Sequence, residues 1–363
     1  MRRTPPFWRG FSPSTGLGAA EWQASAVRVF VTGATGFIGQ HLCRRLIERG
    51  DDVVALIRTP QKAAALPDAV ARFAGDLSTF ADERTALPPC DVVVHLAGVV
   101  AAQRLDEYER INGDAVADLM KCLGRQRWTP KRVLFASSLA AAGPSPGHRA
   151  WTEDDAPAPV DLYGKAKARA ELVVREAPFA TTIFRPPIVF GPGDEASLTL
   201  FRAAARGIGF RVAGAAQRIS FIDVRDLVDG ILCMTDDRRA GSFVYFVGHE
   251  TPTDVPSLWR ELARAVGRSN IVVPVPRWLL YVAAHVSPAA SSIFGYKNQL
   301  DVKQYQQMTA PAFVCSSERL RAHLGWTAKY DLAECLAYAA AGYRALSLLS
   351  PAPSANGPRQ ATT

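Results

Sequence analysis

Val27 to Thr32 is an apolar run that ends in glycines, and from Phe37 to Arg49 apolar residues recur at helical spacing through Ile38, Leu42, Leu46 and Ile47. The pattern predicts strand, turn, helix. The same alternation returns along the chain: Val53 to Ile57, Ala71 to Ala74, Val92 to Leu96, Val133 to Ala136 and Thr181 to Phe184 read as buried strands, with helical patterns between most of them. Repeated βα units with β-branched strand runs predict a parallel, doubly wound α/β sheet, because crossover helices cover both of its faces. After Gly191 the elements shorten to a helix around Leu198 to Ala205, a strand-like Ile219 to Ile222, a helix from Val224 and a strand Phe243 to Val247. Leu332 to Leu349 reads as a final amphipathic helix.

Composition narrows the class. The 363 residues are 48% hydrophobic and 21% charged, which excludes disorder, collagen-like repeats and coiled-coil arrays for the bulk of the chain. The formal charge of +8 is spread without a run of five like charges and no nucleic-acid motif accompanies it, so the expected partner is an anionic cofactor and not a nucleic acid. Cys43, Cys90, Cys122, Cys233, Cys315 and Cys335 lie far apart with no ligand spacing, which predicts buried thiols, no metal and a reducing, cytoplasmic setting. Residues 1–26 carry Pro5, Pro6, Pro13 and several glycines in place of an apolar signal core; they read as a disordered leader, with Val27 a candidate alternative start. Residues 350–363 read as a disordered tail. Trp278 to Tyr296 has 19 residues without a formal charge, but His285, Ser287 and Pro288 interrupt it. A core helix, a helix lining the substrate site, or contact with a membrane surface fits it better than a bilayer span.

Chemistry enters at the turns. Gly33-Ala34-Thr35-Gly36-Phe37-Ile38-Gly39 lies between the first strand and first helix, where free amides and the helix dipole hold a pyrophosphate. The expected fold is therefore a Rossmann-type sheet over 27–190, completed by parts of 218–247, with a smaller interleaved substrate-binding region over 191–349. Asp51 and Asp52 have the spacing of a ribose-binding acid but precede the second strand, at the wrong end of the sheet. Arg58 stands at the correct end, where a guanidinium suits a 2′-phosphate; this favours NADP(H), with NAD(H) left open. Gly75-Asp76-Leu77 follows the third strand, and Asp76 is a candidate acceptor for an adenine amino group. Ala97 and Gly98 end the fourth strand with backbone small enough to approach a cofactor, while His95 inside that strand reads as a buried structural histidine. Ser138 follows the fifth strand, and Tyr163 and Lys167, four apart at the start of a helix, share a face. In this arrangement Tyr163 would exchange the substrate proton, its pKa lowered by the neighbouring ammonium and an oxidised nicotinamide, and Ser138 would polarise the carbonyl.

From about Val27 to Arg344 the chain resembles the extended short-chain dehydrogenases/reductases. The stretches Trp151-Thr152-Glu153-Asp154, Phe184-Arg185-Pro186-Pro187-Ile188-Val189-Phe190-Gly191-Pro192-Gly193, Ser220-Phe221-Ile222-Asp223-Val224-Arg225-Asp226-Leu227 and Leu324-Gly325-Trp326 carry the likeness beyond the glycine turn and the tyrosine. The resemblance implies Ser138, Tyr163 and Lys167 as the catalytic set, with Asn112 in the helix after the fourth strand, Lys167, and the Pro186 to Ile188 backbone at the nicotinamide end. Leu139 and Ala140 replace the Asp-Glu pair of the sugar-nucleotide dehydratases, which argues against dehydration. Ile188 and Ala141-Ala142-Gly143 replace polar epimerase positions, and Pro274 to Leu280 is similar to the 3β-hydroxysteroid-dehydrogenase-like members. These departures imply a lipophilic alcohol or ketone as substrate. A nucleotide-sugar epimerase and a non-catalytic cofactor-binding scaffold are the alternatives, and a homodimer is compatible with either.

Overall fold

In a computed structural model of the chain, residues 26–100, 105–146, 149–214, 217–284, 305, 309–310 and 312–350 are described. The strands in chain order are β1 (Arg28–Thr32), β2 (Asp52–Ile57), β3 (Ala71–Ala74), β4 (Val92–His95), β5 (Arg132–Ala136), β6 (Thr181–Arg185), β7 (Ile188–Phe190), β8 (Ile208–Val212), β9 (Arg218–Ile219), β10 (Phe221–Asp223) and β11 (Phe243–Phe246). Seven of them form the central parallel sheet, in the order β11-β6-β5-β4-β1-β2-β3. The strand order reverses between β1 and β4, so a crevice opens beyond their carboxyl ends.

The unbroken apolar runs follow from burial on both sides of the sheet. Val29, Val31, Val53, Val94 and Leu134 point into one core, while Phe30, Val54, Val93, Val133 and Phe135 point into the other. Helices α1 (Phe37–Arg49), α2 (Leu105–Glu109), α3 (Ala115–Arg125), α4 (Leu139–Ala142), α5 (Leu162–Arg175), α6 (Glu195–Ala205) and α7 (Val224–Thr235) alternate with these strands. α1 and α7 cover the first core, and α3 and α5 cover the second. The strands expected before residue 190 begin and end within a residue of the observed ones, but Ala71–Ala74, expected to be buried, is largely exposed because β3 is the edge strand of the sheet.

Beyond Phe190 the sequence reading needs correction. The strand expected over Ile219 to Ile222 is two strands in two sheets, since β9 pairs with β12 (Thr253–Asp254) and β14 (Ala312–Phe313) and β10 pairs with β7. Ser220 divides them: its amide donates to the Phe313 carbonyl and its hydroxyl accepts from the Cys315 amide. Of 218–247, only α7 and β11 therefore complete the central fold. A third core joins α6 to α8 (Val255–Val266) and the last helix through Phe201, Trp259, Leu262, Leu336 and Tyr343. On α8 rests a small parallel sheet of β8 and β13 (Ile271–Val275). After α9 (Glu318–Leu324), the last helix α10 (Leu332–Ala345) stops short of the expected Leu349, because Ser347 takes a left-handed φ of 58° and turns the chain back onto Tyr343. The leader over 1–25, the tail from residue 351 and the stretch 285–296 lie outside the described residues. Among the described residues no helix is long and apolar enough to cross a membrane.

Candidate active site

The glycine turn packs directly against the end of β4. Gly33 has φ +73°, and a Cβ there would lie 2.7 Å from the Ala97 nitrogen; a Cβ on Gly39 would collide with the Gly33 carbonyl. Helix α1 starts at Gly36 with no side-chain cap and no carboxylate in its first turn, so its first amides and dipole are left to an outside anion. Gln40 fixes the turn by donating to the Thr35 carbonyl at 3.0 Å. Phe37 meets His41 edge-on at 5.7 Å, and His41 is bonded to the Pro192 carbonyl. The start of α1, with Ile38 half-buried, is thus braced against the loop after β7, and the turn fits a dinucleotide pyrophosphate.

At the far end of the crevice Arg58 is exposed past the end of β2. Asp51, at the opposite end of the sheet, is buried beneath the Val27 amide and Arg49, which leaves it a structural role. Asp76 caps the turn that begins at Leu77, accepting from the Ser78 amide at 2.8 Å and the Ser78 hydroxyl at 2.6 Å. These hydrogen bonds, and to a smaller degree the Arg58 charge, hold its carboxyl below the usual range.

Between these ends the β4 terminus is closely packed. His95 is fully buried, its Nδ1 2.8 Å from the Thr32 hydroxyl and its ring stacked on Phe135. Burial and the Lys167 charge push its pKa down to about 3, so it is neutral. Buried Asn112 clasps the Val99 backbone by accepting from its amide at 3.0 Å and donating to its carbonyl at 2.8 Å. A Cβ on Gly98 would lie 2.7 Å from the Asn112 Oδ1 and 3.3 Å from the Lys167 Nζ, so these residues share one corner with Ala97 at its edge.

Ser138, Tyr163 and Lys167 meet at the same corner. Ser138 caps α4, its Oγ accepting from the Ala140 amide at 3.1 Å, and the Leu139 amide donates to the Pro186 carbonyl at 2.9 Å. Asp161 caps α5 through the Gly164 amide and so sets the rotation that aims Tyr163 and Lys167 inward. Lys167 Nζ donates to the Ala136 carbonyl at 2.8 Å and sits 4.9 Å above the Phe135 ring; burial pushes its pKa down to about 8. The lowering of the Tyr163 pKa expected with an oxidised nicotinamide bound starts from a raised value in the chain by itself. Burial pushes this phenol up to about 12, opposed by a hydrogen bond with Ser138, while the ammonium is directed at the β5 carbonyl. Ile188 is 43% exposed beside Pro186. Ala141 and Ala142 are instead fully buried, Ala142 in the cluster of Trp151 and Phe246, because α4 packs under the returning chain at 312–315; they do not line an open cleft.

One group beneath this corner was not legible from the motifs. Glu171, one helical turn past Lys167, is buried with Arg185 at the end of β6, the pair closing at 2.8 and 2.5 Å, and it accepts from the Ser137 hydroxyl at 2.5 Å. It ties α5 to the strand ends that carry Ser138 and Pro186. Its spacing of four from Lys167 was the available signal. Tyr108, 6.4 Å from the Tyr163 ring, was also missed.

A profile of the NAD dependent epimerase/dehydratase family matches residues 29–248. The chain belongs to that family. It is an extended short-chain dehydrogenase/reductase enzyme, and its relatives include reductases and epimerases. It is 32% identical over 228 residues to ceramide reductase of Caulobacter vibrioides, covering 59% of this chain and 66% of the relative. With UDP-glucose 4-epimerase of Vibrio cholerae it shares 30% over 266 residues, 69% of this chain and 79% of the relative. The solved structure of MoeE5 in complex with UDP-glucuronic acid and NAD superposes with a TM-score of 0.69 at 26% identity, covering 87% of this chain and 99% of that one. An NAD(P) cofactor is in keeping with both the family and the glycine turn.

Proposed function

We propose that the protein is an NADP(H)-dependent oxidoreductase that interconverts a secondary alcohol and a ketone on a lipophilic small molecule, with Ser138, Tyr163 and Lys167 as its catalytic set. The observation that carries this reading is the corner at the end of β5, where Lys167 donates to the Ala136 carbonyl beside Gly98 and Asn112, Tyr163 precedes it by one turn of α5, and Ser138 caps α4. The glycine turn and the α1 terminus would hold the pyrophosphate, Asn112 and Lys167 the nicotinamide end, and Arg58 a 2′-phosphate. When bound, the nicotinamide supplies or accepts the hydride. Tyr163, whose phenol burial keeps protonated, donates its hydroxyl proton to the carbonyl oxygen in the reductive direction. Ser138 orients that oxygen with its hydroxyl, since its own lone pair is engaged by the Ala140 amide. Lys167, held by the Ala136 carbonyl, keeps its positive charge at the end of β5, where it would meet the nicotinamide ribose.

Exposed Ile188 at the mouth and the ceramide reductase relative support an apolar substrate. Free cysteines at all six positions, five of them buried, support a reducing, cytoplasmic setting. A parallel screen tests the reading: NADPH consumption with hydrophobic ketones, and sugar stereochemistry by NMR with UDP- and dTDP-sugars. Turnover of hydrophobic ketones is expected. Turnover of a nucleotide sugar with no response to any ketone overturns the reading in favour of the epimerase, for which the UDP-glucose 4-epimerase relative speaks. Tight dinucleotide binding without turnover of either class makes the protein a scaffold.

A further inference from the structure

In the small sheet of β8 and β13, Ile208 stands opposite Ile271 and Phe210 opposite Val273. The two-residue period of a strand puts these four side chains on one face. They are 42%, 75%, 49% and 42% exposed, in that order. The other face is covered, with Gly209 against the Trp259 ring of α8. Residues 277–284 are helical and follow β13 after one residue, and Trp278 and Leu279 on that helix are exposed apolar side chains as well. A contiguous patch of this kind marks a contact site.

Charge identifies what fits it. Residues 206–214 and 267–278, which carry β8, β13 and the start of the following helix, contain four arginines and no carboxylate. Arg206, Arg211, Arg268 and Arg277 lie within three residues of the patch. A second copy of the chain docked face to face would set these arginines against one another.

We propose that this face docks on an anionic lipid bilayer, with the β8 and β13 side chains and Trp278 entering the boundary between headgroups and acyl chains and the arginines meeting lipid phosphates. The inference goes beyond the catalytic reading and does not depend on the substrate. It is tested with the full chain by flotation on phosphatidylcholine vesicles with and without phosphatidylglycerol, with dinucleotide binding followed in parallel as the measure of folding. The protein floats with the anionic vesicles and is released by salt. Ile271→Glu lowers the bound fraction roughly tenfold, from the lost apolar contact and the added charge, with dinucleotide binding unchanged. Trp278→Ser repeats the test should the first variant lose dinucleotide binding. Absence of flotation, equal flotation of wild type and both variants, or a solution dimer that Ile271→Glu dissociates overturns the proposal, the last in favour of a second copy of the chain.

Discussion

The central sheet and the sheet of β8 and β13 are both parallel, yet among the described residues only the inner strands of the first are covered on both faces. Val29, Val31, Val93 and Val94 are fully buried, whereas Ile271 is 75% exposed in a strand of similar composition. Parallel strands of Val and Ile normally lie between two layers. The central sheet meets that rule with its own helices, and the small sheet meets it on one side only. Apolar residues in the first region are explained by folding, and those in the second call for an outside partner.

The largest expected effect sharpens this contrast in electrostatics. Glu171 and Arg185 are buried as a pair inside the first region, so Glu171→Gln leaves an unmatched buried guanidinium and should cost about 3–5 kcal/mol of stability. Denaturant titration measures it. In the second region Arg264 pairs with Glu261 at 68% exposure, and Arg264→Ala should change stability by less than about 0.5 kcal/mol. Comparable costs at the two sites would mean that the regions do not differ in the way proposed.

Next in size is Tyr163→Phe, which should leave dinucleotide binding intact and lower turnover at least about 100-fold, as loss of a general acid does. The pH profile separates the tyrosine from its neighbour. Lys167 has its pKa lowered to about 8 and Tyr163 raised to about 12, so activity that needs the ammonium is lost as pH rises through about 8, well before the phenol ionises. The same shift has a stability consequence of known sign. A lysine whose folded pKa lies below its unfolded value binds fewer protons when folded, so its contribution to stability rises from about pH 8 towards the ordinary lysine range. An alkaline limb that stays in place in Lys167→Met would remove the assignment.

What could be read in the sequence follows the same division. The strands β1, β2 and β4 to β6 were legible because burial on both faces writes itself as runs such as Val92-Val93-Val94, and the glycine turn because its φ and close approach admit nothing larger at Gly33. Asn112, Ser138, Tyr163 and Lys167 were legible by spacing and resemblance, and the structure brings them to one corner. Glu171 was not, since its partners Ser137 and Arg185 are 34 and 14 residues away and meet it only after α5 packs. The short strands after Phe190 were illegible for a related reason. A two-residue strand such as β9, held by partners at Thr253 and Ala312, carries no period of its own. The burial of Ala142 likewise depends on the chain returning at 312–315, which no local pattern announces.

A smaller effect concerns cofactor choice at the edge of the central sheet. Arg58 is exposed, and a 2′-phosphate would gain one charged hydrogen bond from it, so Arg58→Ala should narrow the preference for NADPH over NADH by about 1–3 kcal/mol. Calorimetry with both cofactors measures it. Equal affinity of the native protein for the two would end the role given to Arg58.

The smallest effect is the most direct test of the opening contrast. Ile271 contributes little to folding if its side chain faces solvent, so Ile271→Ser should change stability by no more than about 0.5 kcal/mol despite the loss of a large apolar group. Val272→Ser, on the covered side of β13 and packed against the core that holds Trp259, should cost more. Thermal melts of the two variants side by side make the measurement. A loss at position 271 of several times that size would mean that the side chain is covered within the protein itself, and the bare face of the small sheet would then belong to its fold and not to a partner.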